Sequence, residues 1–492
     1  MTQPREQRRV VLAGPASIEE VICATRGTGL FSQMMKAAVG LAIGTDGIEV
    51  TLLSYLVPCV AAEWGLSTVK QGSLTASVFA GELVGAIVLG VVSDHYGRRS
   101  GFKIATGLVL TFGLLTVVAP SFWWLLFFRS MVGVGAGGME VPFDLLSEIV
   151  PKKEKGRILV DVQITWAIGS LFTGIIAWAV LESDYSWRWL ALFSAIPPAA
   201  VVCCFAFVPE SPRWYMAKGR PDEAKDTLRR IAKRNGIDLG DFTLRQEEKV
   251  GSKQTGVLAL WRQRELRSRS LVSWIVWAGF GFLYYGVILL SADVLGESDT
   301  CSFDYSILFF AASSELVSNL MSRTYIDVVD RRHSLAANFL LSGLATVFLP
   351  FNENMAWLLL LSFVARGASY TAACFAWMIT PELYPTEIRS TGHAVSNSMA
   401  RLGAIGASYW VASGLSYGVV GVLLLAVAVT GGVAAQFLPT IYYNEGAEGY
   451  VGGLESRPLL WNGVDVDGDD GRKRSSQARG HPMSNGGYAE TI

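Results

Sequence analysis

Charge is scarce in this sequence. Charged residues are 17% of the 492 positions, against about 25% in soluble globular chains. With 51% hydrophobic residues and a mean hydropathy of +0.37, that shortage argues against a soluble enzyme of ordinary composition and against a disordered chain. An excess of either sign is also missing. The net charge is −1, so no global basic field points to nucleic acid. Six Cys without a Cys-x-x-Cys pair exclude a disulfide scaffold. Four His leave too few ligands for a His-based metal cluster. Neither a phosphate-binding Gly-rich loop nor a Ser-His-Asp arrangement stands in the sequence, and no cofactor is expected. No cleavable signal peptide is evident, because the first long apolar run starts beyond residue 30 and is too long for one.

What is present is apolar length. A bilayer core of about 30 Å needs roughly 20 apolar residues per helix. Twelve such runs are read at 34–60, 72–92, 101–119, 122–147, 158–181, 189–208, 270–295, 304–322, 334–350, 355–380, 393–414 and 417–438. The chain thus divides into a polar tail (1–27), six runs (28–208), a polar basic loop (209–269), six more runs (270–440) and a Gly- and Ser-rich tail (441–492) expected to be disordered. Within the loop, charges from Pro221 to Asn235 recur at helical spacing and predict a solvated helix on the membrane surface.

Lys and Arg set the orientation. They cluster after runs 2 (Arg98, Arg99, Lys103), 4 (Lys152, Lys153, Lys155, Arg157), 8 (Arg331, Arg332) and 10 (Arg389), and in the central loop. The alternate loops hold little beyond Lys70 and Arg188. Even-numbered runs therefore exit to the cytoplasm, and both termini are expected there.

The chain repeats itself. Glu82 and Glu315 lie 233 positions apart, as do Asp94 and Asp327; Arg129 and Arg366 lie 237 apart; Glu148-x-x-Pro151 and Glu382-x-x-Pro385 lie 234 apart. Each pair holds the same place in its six-helix half. The expected fold is an all-α membrane protein of twelve helices in two pseudo-symmetric halves, a transporter architecture with its site between the halves near the midplane.

The same residues carry a family resemblance. Gly90-Val-Val-Ser-Asp94-His-Tyr-Gly97-Arg98-Arg99 resembles the loop signature of the major facilitator superfamily, and Arg129-Ser-Met-Val-Gly133-Val-Gly135-Ala-Gly137 resembles its segment 4 motif. Pro209-Glu-Ser-Pro-Arg213-Trp214 and Pro381-Glu-Leu-Tyr-Pro385-Thr-Glu-Ile-Arg389-Ser-Thr-Gly392 are similar to stretches of the sugar-porter and organic-ion branches. Thr45-Asp46-Gly-Ile-Glu49-Val with Glu63-Trp64-Gly-Leu-Ser67 looks most like the synaptic-vesicle-two and related branch, which includes vesicle proteins and organic-ion and nicotinate-type carriers. The second loop signature departs from the first: Asp330 stands where the first copy has Gly97, so the turn there is expected to differ. A sugar porter is disfavoured by segment 7, which lacks the Gln-rich sugar motif.

Charges inside the apolar runs need a reason, because each costs about 2.5–3.5 kcal/mol at the bilayer centre on insertion scales. Asp46 and Glu49 share one face of segment 1 at i, i+3 spacing. Two carboxylates so close oppose each other's ionisation, which suits reversible protonation or a cationic substrate; a fixed structural pair with Arg129 is the alternative. The matching stretch of segment 7 offers Tyr284 and Tyr285 instead. Arg366 and Arg401 are candidates for an organic anion, Trp377 and Tyr370 for stacking on a ring, and Glu140 and Asp144 lie toward the cytoplasmic exit. The glycines at 133, 135 and 137 let segment 4 approach a neighbour closely. Gly90, Asp94, Gly97, Arg98 and Arg99, with Asp327, Arg331 and Arg332 in the second copy, are expected to latch the halves across the loop face. Glu148 with Arg157, and Glu382 with Arg389, form similar relays. Glu82 and Glu315 either line the cavity or seal it by pairing. Cys59 and Cys301 share the outer face and can bond. His95 and His393 are expected at the surface.

The implied activity is secondary transport of a small organic solute, an organic ion rather than a sugar, coupled to protons. The protein would be a monomer in a plasma or vesicle membrane, with no nucleic-acid partner. A proton-coupled sugar transporter, a non-transporting vesicle protein that binds partners and a nutrient sensor remain open alternatives.

Overall fold

The computed structural model describes residues 8–9, 14–25, 29–183, 185–245, 260–261, 264–297, 301–325, 329–351, 354–384 and 388–439. All fall within one compact unit. Twelve helical segments run in the expected order. The first half holds segment 1 (Leu30–Trp64), segment 2 (Thr68–Tyr96), segment 3 (Arg98–Val117), segment 4 in two pieces (Phe122–Gly137 and Glu140–Ile149), segment 5 (Lys152–Leu181) and segment 6 in two pieces (Trp187–Ser194 and Ile196–Cys204). The second half holds segments 7 (Arg264–Leu295), 8 (Tyr305–Tyr325), 9 (Arg331–Phe348), 10 (Met355–Leu383), 11 (Arg389–Val411) and 12 (Tyr417–Gln436). In hydrocarbon every backbone N–H must bond within its own segment, so apolar runs of this length fold as helices.

Among the described residues, nine helices are long and apolar enough to cross a bilayer. The other three segments are 4, 8 and 11. Segment 4 breaks at the Gly137-Gly138 pair, where the chain lacks the side chains that stiffen a helix. Segments 8 and 11 bury polar stripes that include Glu315, Asn319, Ser396, Asn397 and Arg401, which lowers their hydropathy but faces them inward. Segment 6 breaks at Ala195, because Pro197 and Pro198 follow and supply no N–H.

Segments 2 and 4 come into backbone contact through glycine. A Cβ on Gly133 would collide with the Val78 carbonyl, and one on Gly137 with that of Glu82. On the face opposite the loop signatures, Cys59 near the end of segment 1 is disulfide-bonded to Cys301 after segment 7, with Cα atoms 4.4 Å apart. Next to it the Tyr55 and Phe303 rings meet edge to face at 5.3 Å.

The polar ends depart from expectation. Residues 15–24 are not a free tail. Ser17 caps a helix over Ile18–Ala24, and Pro15–Ala16 pairs in parallel with Thr243–Leu244. Ala16, Ile18, Val21 and Ile22 form a small core with Leu228, Ala232, Ile237 and Phe242. The helix Pro221–Arg234 is therefore half-buried, not solvated all round. Ala224, Leu228 and Ile231 recur at helical spacing and are buried; Leu228 and Ala232 are covered by the chain's own start, and Ile231 packs with the core that holds Phe31. The Asn235 side chain closes the arrangement, donating to the Thr25 carbonyl at 2.8 Å and accepting from the Phe31 amide at 2.9 Å.

Gly133→Leu is expected to cost about 1–3 kcal/mol by overpacking, read as a lower melting temperature and less monodisperse protein in detergent. Gly107→Leu is the control, since a side chain there meets open space; it should leave both unchanged.

Candidate functional site

A cavity of about 90 Å³ lies between the halves. Its polar groups are Asp46 on segment 1, Glu140 on segment 4, Gln163 on segment 5, and Asn397 and Arg401 on segment 11. The first half adds the rings of Phe143 and Trp166, and the second those of Phe280, Tyr284, Tyr285, Tyr370 and Trp377. Sites for organic ligands commonly span about 300–1,000 Å³, so this cavity is small for such a ligand.

Three buried guanidiniums organise the surroundings. Arg129 Nη1 lies 2.8 Å from Glu49 Oε2, and each side chain is 1% exposed. Arg366 Nε lies 2.8 Å from Glu315 Oε1, which also accepts from the Tyr284 hydroxyl at 2.8 Å. Arg401 Nη1 lies 2.8 Å from Glu82 Oε2, its Nη2 is 3.8 Å from Asp46 Oδ2, and it donates to the Tyr285 hydroxyl. Glu82 and Glu315 thus pair rather than line the cavity. Asp46 and Glu49 share a helix face but take different partners: Glu49 goes to Arg129, and Asp46 stands beside Arg401. Arg129 and Arg366 lie outside the cavity lining. Arg366 is 4% exposed and occupied by Glu315, so it presents no free charge to an anion.

The Arg401 cluster joins the halves, since Arg401 and Tyr285 belong to the second and Asp46 and Glu82 to the first. Three further bonds cross the same seam. Arg366 Nη2 donates to Ser170 Oγ at 2.7 Å, Trp166 Nε1 to the Tyr284 hydroxyl at 2.8 Å, and the Tyr370 hydroxyl to the Gln163 carbonyl at 3.0 Å. Trp377 meets Phe143 across the seam, with ring centroids 5.7 Å apart.

The two loop signatures fold differently. Gly97 turns with φ +104, and Glu210 reaches under it to accept from the Arg99 amide at 3.1 Å. Burial pushes the Glu210 carboxyl up from its ordinary range, against backbone bonds that hold it down. Arg98 bonds Asp94 at 2.7 Å, Ser93 at 2.9 Å and Glu148 at 3.4 Å. Glu148 in turn accepts from the Ser211 hydroxyl, and Arg99 donates to the Phe205 carbonyl at 2.9 Å. These partners lie in the first half and the central segment, so among the described residues the motif braces one half. Gly90 faces open space. In the second copy, Asp330 keeps a negative φ and caps segment 9, accepting from the Arg332 amide at 2.9 Å. Against its burial, that bond and the Arg332 guanidinium hold the Asp330 carboxyl below its ordinary range. Arg332 also donates to the Leu438 carbonyl at 3.2 Å, and Arg331 is likewise engaged. Asp327 and the side chains of Arg157, Glu382 and Arg389 lie outside the described residues.

Sequence reasoning missed three features. Among the described residues, a charged contact that crosses the halves on the loop face is Arg323 with Asp161, at 3.3 Å. Its signal was a basic residue ending segment 8 opposite an acid opening segment 5. Glu140 lines the cavity instead of the exit. His393 is not at the surface; its ring stands edge-on to Trp377 and Trp277, with centroids 4.8 and 5.7 Å away.

Removing one partner of a buried ion pair strands the other charge, at a cost of about 3–5 kcal/mol. Glu49→Leu should therefore lower the melting temperature sharply, and the double variant Glu49→Leu/Arg129→Leu should recover most of the loss. A double variant no better than the single would show that Arg129 is compensated elsewhere.

The profile of the family described as "Sugar (and other) transporter" matches residues 29–438. The chain is 30% identical over 421 residues to the Caenorhabditis elegans protein named "Putative transporter svop-1", covering 82% of this chain and 81% of that one. It is 32% identical to the rat "Synaptic vesicle 2-related protein", over 77% of this chain and 72% of that one. It is 28% identical to the Arabidopsis thaliana "Organic cation/carnitine transporter 7", over 84% and 92%. Among solved structures, the xylose transporter XylE of E. coli in a partially occluded inward-open conformation superposes with a TM-score of 0.66 at 17% identity, over 83% of this chain and 98% of that one. These proteins are transporters rather than enzymes, and the chain belongs to the Sugar (and other) transporter family of the major facilitator superfamily.

Proposed function

We propose that this protein is a secondary active, proton-coupled transporter of a small organic ion that works by alternating access between its two halves. The observation that supports it best is the buried cluster of Arg401 with Glu82 and Asp46, in which one half supplies the cation and the other both acids. One guanidinium facing two carboxylates carries one negative charge too many for a dry seam. A proton on Asp46 relieves that excess and sets how tightly Arg401 ties the halves. Deprotonation and reprotonation on opposite faces then bias the inward and outward states. A ligand shifts that balance only by its differential affinity for the two. Charge in the site favours an ion over a sugar, and the printed name of the Arabidopsis relative supports that preference. The basic loops support a cytoplasmic position for both termini, in a plasma or vesicle membrane. The substrate and protons are its partners, and the seam is complete within one chain, in keeping with a monomer.

The test is uptake into proteoliposomes of labelled organic cations, organic anions and sugars, with and without an imposed pH gradient. Wild type should accumulate an organic ion when the gradient is present. In Asp46→Asn, gradient-driven accumulation should fall about tenfold or more, the scale of one charge-assisted contact, while exchange of labelled for unlabelled substrate persists. Gradient-driven uptake that survives in Asp46→Asn overturns the coupling role of Asp46. No uptake of any solute by folded wild type overturns transport.

A further inference from the structure

The charges along the seam do not balance. Five carboxylates stand in or beside the seam: Asp46, Glu49, Glu82, Glu140 and Glu315. Three guanidiniums answer them, each with an acid at 2.8 Å: Arg129 with Glu49, Arg366 with Glu315, and Arg401 with Glu82. Asp46 and Glu140 are left over. Asp46 stands 3.8 Å from an Arg401 already engaged, it is 8% exposed, and its Oδ1 has no hydrogen-bond partner among the described residues. Glu140 lines the same cavity and makes no hydrogen bond or ion pair to a described residue. Around them stand the rings of Trp166, Phe280, Tyr284, Tyr285 and Trp377, and the Tyr285 ring already carries the Arg401 guanidinium 6.0 Å from its centroid.

Such a cavity suits one ligand chemistry. Aromatic faces carry negative potential and attract a cation seated over them. An unanswered carboxylate repels an anion and leaves a neutral sugar's site with a charge to bury. We propose that the transported solute is an organic cation with a flat apolar body, that Glu140 is its counter-ion, and that the cation exchanges for the proton Glu140 carries when the site is empty. This rests on the transport reading above and adds the sign of the substrate and the residue that reads it. The exchange balances in charge. The O–H bond of the Glu140 carboxyl breaks, the proton leaves to water on the open face, and the incoming cation restores neutrality. Asp46 keeps the second proton, shared with the Arg401 cluster. The groups facing Glu140 from neighbouring elements are Asp46 on segment 1, Tyr284 and Tyr285 on segment 7, Tyr370 on segment 10 and Arg401 on segment 11, with Asp144 one turn along its own helix. The break in segment 4 places Glu140 in the first turn of the helix Glu140–Ile149, where the helix dipole favours the ionised form once the proton has gone.

The experiment uses the purified full chain in detergent, with 1-methyl-4-phenylpyridinium as probe and benzoate and glucose as controls. It reads melting temperature and, in weak buffer, proton release. The cation alone should raise the melting temperature of wild type and release about one proton per cation bound, as neutrality of the buried site requires. Glu140→Gln should bind it about tenfold or more weakly and release no proton, while Glu140→Asp retains both effects. Glu140→Gln replaces a carboxyl that is neutral in the empty site with a neutral amide of the same shape, so without ligand it should melt no lower than wild type, which separates lost binding from lost folding. Stabilisation by benzoate or glucose instead of the cation overturns the proposal. So does cation binding with proton release that Glu140→Gln leaves intact. Binding with release but no uptake into proteoliposomes would support this assignment and overturn transport. Gradient-driven uptake of an anion that Glu140→Gln leaves untouched would do the reverse.

Discussion

Neutrality of charge in a medium that solvates charge poorly is the constraint on which the rest of this structure depends. A guanidinium cannot shed its proton, so each arginine in the seam must meet an acid. Arg129, Arg366 and Arg401 each do so at 2.8 Å. Those three contacts determine how segments 1, 2, 4, 8, 10 and 11 turn about their axes, because a helix that carries one partner must present it inward. The aromatic and small residues then fill what remains between the charged pairs.

The repeat makes the consequence visible. By offset, Arg129 corresponds to Arg366 and Glu82 to Glu315. In the second half the arginine takes its own Glu315. The equivalent pair in the first half would be Arg129 with Glu82, and it is not the contact found. Segment 1 carries Glu49, which takes Arg129, and Glu82 is released to meet Arg401 across the seam. Segment 7, with tyrosines where segment 1 has acids, offers Arg366 no such alternative. One acidic turn in one copy of a duplicated unit thus converts an internal brace into a link between the halves. The loop signatures diverge for a related reason. Gly97 permits a positive φ with a carboxylate tucked beneath it, whereas Asp330 supplies its own cap at negative φ.

The segments, their order and the duplication were legible because apolar length and the positions of a few charges are properties of the chain alone. So were the close approach of segment 4 to a neighbour, which three glycines announced, and the different turn at Asp330; that Gly133 and Gly137 meet segment 2 while Gly135 meets segment 3 was not. The partner of each charge was not legible. Asp46 and Glu49 look equivalent at i, i+3, yet one faces Arg129 and the other Arg401, and only the relative rotation of segments 4 and 11 separates them. His393 reads as a loop residue from its distance to Arg389, but the helix begins at Arg389 and turns the ring onto Trp377.

The chain's beginning shows the same division. Its polar composition marks residues outside the membrane. The four apolar side chains of 16–22 gain their meaning only beside Leu228 and Phe242, over 200 positions away. By itself the sequence determined that twelve helices form, that they fall into two related halves and that ionisable groups sit among them, since hydrophobic length and helical spacing act within a few turns of chain. The tertiary structure alone decided which acid answers which arginine, and that Asp46 and Glu82 share one. A counter-charge is chosen by distance in space, and in this protein the decisive distances run between helices that the chain itself keeps far apart.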